Sequence, residues 1–560
     1  MTASRLSFPI TLAAVAAVAA VTALAGPALA QQSERDSLRI AINRVFAPWT
    51  STNAPGCAVG VSQNGNVVFE NGYGMANLEH DVPITPASIF HVASVSKQFT
   101  AAAIMLLVRE GKLSLDDEVR KHVPEVPAYP QRITIRQLLH HTSGLRDQWD
   151  LLIMARGRFE EDRVTEDDVL EIVSRQKALN FEPGTEYLYS NTGYTLAGAI
   201  VRRVSGKPLR DFADERIFRP LGMTSTHFHD DYTMIVKGRT AGYARRGTGW
   251  RVSLPNYDTY GATSLYTTVG DLLKWQRNFD SRVVGDEAML REMQTSGILA
   301  RGDTTAYGLG LSTERYRGAR LVGHGGADAG YRTYLGRFPD HGVSITVLCN
   351  ASAVNPGALA RSVADVVLDS ALAPVPPPVR ATASPSGDQL ARMAGVYSHP
   401  LTGAPTYITL RGKTLVLGRT NGPELIALSE TRFRVGGGPI QLSLNQAGDL
   451  VQTIVAWPPR AAVTFKRQPT KTLSRADLEA YAGRYYSEEL GAAYTVTATD
   501  STLGLKTRLG RALTVRHAYG DTFAGDMLLN FTRDAGGRVD GIRMSSNRVF
   551  HVRFEREAVR

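Results

Sequence analysis

Two cysteines in 560 residues, Cys57 and Cys349, are too few for a disulfide scaffold, and their isolation excludes the paired spacings of a metal site. Long hydrophobic runs are equally scarce. After residue 30 no segment approaches the roughly 18 uninterrupted apolar residues that a membrane helix needs, so the mature chain is expected to carry no integral span. The longest helical candidate, Ala101 to Val108, stops at Arg109 and Glu110. Nucleic-acid motifs are missing too, and with them that class of partner. Runs of like charge do not explain the formal +10: the excess lies almost wholly after residue 390, scattered through strand-like text as solvated faces would be. A basic surface can nonetheless attract anionic cell-envelope polymers.

What is present is ordinary globular composition, 43% hydrophobic and 8% aromatic, in a chain longer than one core usually organises. Two or three domains are expected. Residues 1–30 combine Arg5, an apolar stretch from Phe8 to Ala25, a breaker at Pro27 and the small-residue ending Ala28-Leu29-Ala30, which reads as a cleavable secretory signal. Position 31 is Gln, so no lipid-bearing cysteine follows the cut. The expected location is periplasmic or secreted. The cysteines sit in strand-like runs at 57–61 and 343–349; paired antiparallel, these strands would bring them together, either as a disulfide in an oxidising compartment or as two buried thiols.

Strand signals at 57–63 and 66–73, a helix from Val95 to Glu110, strands over 331–349 and a last helix near 357–370 suit a mixed α/β (α+β) domain over 33–373 whose sheet unites both chain ends. A Pro-rich linker follows at 374–387. Beyond it the text turns to short alternating strands and repeats once at a spacing of about 88 residues. Leu390, Ala394, Gly395 and Tyr397 recur as Leu478, Ala482, Gly483 and Tyr485; Tyr407, Phe433 and Phe465 return as Tyr494, Phe523 and Phe554. Two small antiparallel β-barrels, 388–470 and 471–560, fit best, with one long sandwich as the alternative.

Ser94-Val95-Ser96-Lys97 puts a hydroxyl and an amine one helical turn apart, so that a desolvated Lys97 can take the Ser94 proton as a carbonyl is attacked. The same spacing recurs at Ser174–Lys177, but in a charged amphipathic stretch beside Glu171 and Arg175, where a solvated surface is expected. Ser94 instead opens an apolar helix that can bury its lysine. Ser96 points elsewhere around the helix. Tyr189-Ser190-Asn191 follows the turn-forming Pro183-Gly184; the phenol can shuttle a proton, and the Asn191 amide can hold a carbonyl and the lysine. His324-Gly325-Gly326 precedes a strand and lets a substrate backbone approach a sheet edge.

In order and approximate separation these three motifs resemble those of class C β-lactamases, DD-peptidases and their esterase and aminopeptidase relatives, the penicillin-recognising serine hydrolases. Phe90 to Ala93, Ile133 to Gly144 and Thr267 to Leu272 look like that family as well, over roughly residues 36–370. The resemblance implies a helical subdomain against an antiparallel sheet with Ser94 between them. It also implies an oxyanion hole of the Ser94 and Ala327 backbone N–H groups beside Gly325 and Gly326, with no metal and no cofactor. His324 stands where typical β-lactamases carry lysine, which removes the permanent cation that holds a β-lactam carboxylate. Histidine here resembles certain DD-peptidases and D-aminopeptidases, one group of which also ends in two lipocalin-like barrels and sends a barrel loop into the active site. By that likeness Asp521 or Asp526 could receive a substrate amine, unless both are ordinary barrel-surface residues.

The expected enzyme forms an acyl-Ser94 intermediate and hydrolyses amide bonds of short peptides, with D-residues. A carboxylesterase of the same fold, a weak β-lactamase and a non-catalytic envelope-binding protein are the alternatives; small peptides, esters or β-lactams are the corresponding partners. Whether Lys97 or Tyr189 takes the proton is open at this level.

Overall fold

The computed structural model describes residues 33, 35–157, 162–454, 461–507 and 512–558; the secretory signal read at 1–30 lies outside them. Cys57–Gln63 is a β-branched, small-residue run buried on both faces along nearly its whole length, and it occupies the interior of a six-stranded antiparallel sheet. The strand order is Ser312–Tyr316, Ala319–Asp328, Tyr331–Phe338, Val343–Cys349, Cys57–Gln63, Asn66–Tyr73, so the two chain ends of the domain meet at its centre. Side-chain alternation divides the packing. Cys57, Val59 and Val61 join Ile42 and Phe46 of the first helix and Val363 and Ala364 of the helix Pro356–Leu368. The opposite face packs on Val269–Ser281, where Gly60 lies against Val269 and Leu273. A helical subdomain built around Lys97–Arg109 and Asn191–Ser205 adjoins that face.

Register places Cys57 directly opposite Cys349, with Cα atoms 4.0 Å apart, and the two form a disulfide. Of the two outcomes left open by the sequence, the cross-linked one is realised. The bond ties residues 292 apart in sequence. Cys57→Ala or reduction is expected to lower stability by about 2–4 kcal/mol, read from urea unfolding with and without reductant.

Residues 373–386 carry neither helix nor strand. The repeat beyond them becomes two eight-stranded antiparallel units, the second a closed barrel and the first open between Thr414–Leu417 and Leu425–Ala427 apart from a single bridge at Val416 and Glu424. The recurring residues have a common job. Each unit opens with a short helix capped by a serine, Ser386 or Ser474, and the repeated tyrosine donates to a carbonyl four residues earlier: Tyr397 to Met393 at 2.9 Å and Tyr485 to Tyr481 at 2.8 Å. Phe433 and Phe465 fill one core, Phe523 and Phe554 the other.

The second barrel shares a continuous apolar core with the helical subdomain. Tyr494 donates to the Met154 carbonyl at 2.9 Å, and a buried ion pair, Arg146 Nη1 to Glu489 Oε2 at 2.5 Å, crosses the seam.

Candidate functional site

Ser94 is placed by a tight local fold. The strand Phe90–His91 pairs with Leu265–Thr267, Ala93 turns with φ at +48°, and the 3₁₀ segment Ala93–Ser96 runs directly into Lys97–Arg109. That helix is buried from Lys97 to Leu107, so the apolar run that marked it in the sequence also desolvates its first residue. Lys97 Nζ lies 3.0 Å from Ser94 Oγ, 2.9 Å from Asn191 Oδ1 and 2.7 Å from the Ala262 carbonyl. Burial pulls the amine down to about 7; Asp147 and Asp328 oppose this and Arg548 adds to it. A neutral amine has two hydrogens. Asn191 and Ala262 can only accept, so they take both, and the lone pair is left facing the Ser94 hydroxyl. Ser96 turns away, bonding the Ala93 carbonyl and the Leu265 N–H.

Asn191 opens the helix Asn191–Ser205, and its orientation is set by Asp147, which is fully buried. Asp147 Oδ2 accepts from the Asn191 backbone at 2.7 Å and from its Nδ2 at 2.8 Å, fixing Oδ1 toward the lysine. One Nδ2 hydrogen is thereby used, which leaves the other for a substrate carbonyl. Burial raises the Asp147 pKa against the pull of Arg548 and of these donors. Tyr189 sits on the preceding stretch with the Lys97 ammonium position 4.9 Å from its ring centre. Burial drives its phenol far above the usual tyrosine range, with Ser94 beside it working in the opposite direction, so it is held as a proton donor.

His324 is buried, and burial together with Lys97 lowers its pKa to about 3. Its Nδ1–H donates to the Gly325 carbonyl at 2.5 Å, which leaves Nε2 to accept from the Tyr307 hydroxyl at 2.8 Å. The imidazole is therefore neutral. Tyr307 and His141, packed at tilted and edge-on angles against Tyr189, Tyr194 and His324, complete an aromatic wall around the lysine. Gly326 permits the approach of the sheet edge: a Cβ there would stand 2.3 Å from both the Val92 carbonyl and Thr333 Oγ1. The contact carries Gly325, Gly326 and Ala327 to the mouth of the same cleft, about 880 Å³, that Ser94, Tyr189, Asn191 and His324 line.

The second Ser–Lys spacing contributes nothing to this cleft. Ser174 is exposed and bonds only Glu171, and the backbone of Lys177 donates to Glu489 at the barrel seam. Nor do the two barrel aspartates reach it: Asp521 pairs with Arg533 and Tyr481, and Asp526 accepts from the Thr514 N–H within the barrel. A different barrel segment enters instead, the turn over 546–551, and it brings a base rather than an acid. Arg548 lies 5.0 Å from the centre of the Tyr189 ring and lines the cleft. Sequence reasoning also passed over Asp147, His141 and Tyr307. His141 lies within the stretch Ile133 to Gly144 already noted for its family likeness and Asp147 three residues beyond it, which is the one local signal available for them.

The β-lactamase family model matches residues 41–368, and a domain of unknown function, DUF3471, matches 467–558. Among curated proteins, a D-aminopeptidase of Cereibacter sphaeroides is 27% identical over 507 residues, covering 88% of this chain and 93% of its own. A D-aminopeptidase of Brucella canis is 27% identical over 510 residues, covering 87% and 93%. Among solved structures, the octameric penicillin-binding protein homologue from Pyrococcus abyssi superposes with a TM-score of 0.54 at 25% identity, over 77% of this chain and 99% of its own. The D-amino acid amidase from Ochrobactrum anthropi SV3 does so with a TM-score of 0.50 at 25% identity, over 60% and 99%. With a buried lysine aimed at a serine in the cleft between sheet and helices, and a family match spanning well over half its length, the chain belongs to the β-lactamase family of serine hydrolases.

Proposed function

We propose that this protein is an exported serine amidase that cleaves short peptides at amide bonds next to D-residues, through an acyl-Ser94 intermediate. The observation that carries the reading is the buried Lys97 Nζ, held by Asn191 Oδ1 and the Ala262 carbonyl at 3.0 Å from Ser94 Oγ. Neutral Lys97 takes the hydroxyl proton as Oγ attacks the carbonyl carbon, and the oxyanion gathers the Ser94 and Ala327 backbone N–H groups. The tetrahedral adduct collapses as Tyr189, resupplied by the Lys97 ammonium, protonates the departing nitrogen. Water then attacks the ester, gives its proton back through the same pair, and releases the acid. Gly325 and Gly326 admit the substrate backbone beside the sheet edge.

The D-residue preference draws on the D-aminopeptidases and the D-amino acid amidase to which the chain is similar. Export draws on the leader-like residues 1–30 and suits the Cys57–Cys349 disulfide. Peptidoglycan fragments, which contain D-residues, are a fitting source of substrate. His324, uncharged above about pH 3, offers no pairing for a β-lactam carboxylate.

Labelling with a fluorophosphonate and mapping the modified peptide tests the assignment. The label is expected on Ser94 and absent from Ser174 and Ser96, with N-acetyl-D-alanyl-D-alanine turned over faster than its L-counterpart. A label elsewhere, or an L-preference, overturns it.

A further inference from the structure

We infer that Arg548, delivered by the second barrel, makes the cleft selective for substrates bearing a free carboxylate and turns it away from those that present a free ammonium. The inference rests on the serine-amidase reading and specifies its substrate class.

The charges along the cleft are arginines 332, 361 and 548 against one acid, Asp328. Asp328 is fully engaged: it accepts from Tyr257 at 2.9 Å and Thr263 at 2.9 Å and pairs with His91 at 3.1 Å, so no carboxylate stands ready for an amine. Arg361 is held by Glu314 at 2.5 Å. Arg332 donates only to the carbonyls of Ala329 and Tyr331. Arg548 is held only by a long ion pair to Asp147 and by the face of the Tyr189 ring. Its Nη1 lies 3.9 Å from Asp147 Oδ2, beyond hydrogen-bond reach of an oxygen that Asn191 already occupies twice, and its side chain is 40% exposed. Among the described residues its guanidinium makes no hydrogen bond, so the planar fork that matches a carboxylate is open.

The loop is built to hold it. Arg548 N–H donates to Asp150 Oδ2 at 2.9 Å, the Arg548 carbonyl accepts from Asn180 Nδ2 at 2.9 Å, and Ser546 and Phe550 bond the same two side chains at 2.7 Å each. A backbone fixed on both sides presents its guanidinium without an ordering cost at binding. With His324 neutral, the cation that the third motif lacks is supplied from the barrel.

The test compares three peptides, N-acetyl-D-alanyl-D-alanine, its C-terminal amide, and D-alanyl-D-alanine amide with a free amine, by kcat/KM and by protection of Ser94 from fluorophosphonate. Wild type is expected to favour the carboxylate over its amide by about tenfold or more, Arg548→Gln to bring that ratio close to one, and Arg548→Glu to favour the free amine. A ratio unchanged in Arg548→Gln overturns the inference, as does a wild type indifferent to the carboxylate. The thermal midpoint reports whether each variant is folded. If no peptide is turned over while the carboxylate still protects Ser94 in an Arg548-dependent way, the amidase reading fails and the recognition stands.

Discussion

Ser94→Ala and Lys97→Met each lower kcat on N-acetyl-D-alanyl-D-alanine by about 10⁴-fold or more, and the double variant is little worse than either alone. The reason is that the two side chains form one device. Without the serine no acyl-enzyme forms, and without the amine the serine hydroxyl has no partner that can take its proton: Asn191 Oδ1 is turned to the lysine, His324 Nε2 accepts from Tyr307, and the Tyr189 phenol is driven toward its protonated form by burial. The pH profile carries the same signature. Lys97 acts as the neutral amine, so kcat/KM climbs as pH rises through about 7 and falls away below it, a far lower limb than an exposed lysine would give. Independent effects of the two substitutions that multiply in the double variant would show that they do not act together, and an acid limb near 10 would mean that burial does not hold the lysine neutral.

The parts of this site legible in the sequence are those whose chemistry is local. A hydroxyl and an amine one turn apart on an apolar helix declare both their contact and the burial of the amine, and the repeated Leu, Gly and Tyr positions declare two units because each repeat builds its own eight antiparallel strands. What escaped is what depends on separations of tens to hundreds of residues. Asp147 directs Asn191 from 44 positions away, and Arg548 meets the cleft only because a turn of the last barrel docks about 400 residues beyond the helix it touches. No periodicity marks such a residue. Asp521 and Asp526 have the charge that an amine site needs, but both are spent inside the barrel on Arg533, Tyr481 and the Thr514 N–H. Charge type alone could not choose among the turns of an eight-stranded barrel; the docking seam does.

That seam is where the second large effect is expected: Glu489→Ala destabilises the protein by about 3–5 kcal/mol. Arg146 and Glu489 are 1% and 5% exposed, and the glutamate also accepts from the Lys177 N–H at 2.9 Å and the Arg553 N–H at 3.1 Å. Removing it strands a buried guanidinium and two backbone donors together, a loss much greater than the worth of the pair itself. The exposed pair Arg301–Glu186 is the control, where Glu186→Ala costs about 0–1 kcal/mol. Urea unfolding separates the two. Activity follows stability here for a structural reason, since Arg146 Nη2 also donates to the Phe550 carbonyl at 2.8 Å, two residues past Arg548. Freed from Glu489, Arg146 loosens the turn that carries Arg548, so the preference for a carboxylate over its amide falls in Glu489→Ala at urea concentrations where the catalytic domain is still folded. If the variant matched wild type in both midpoint and preference, the barrel would be a passenger and not a wall of the active site.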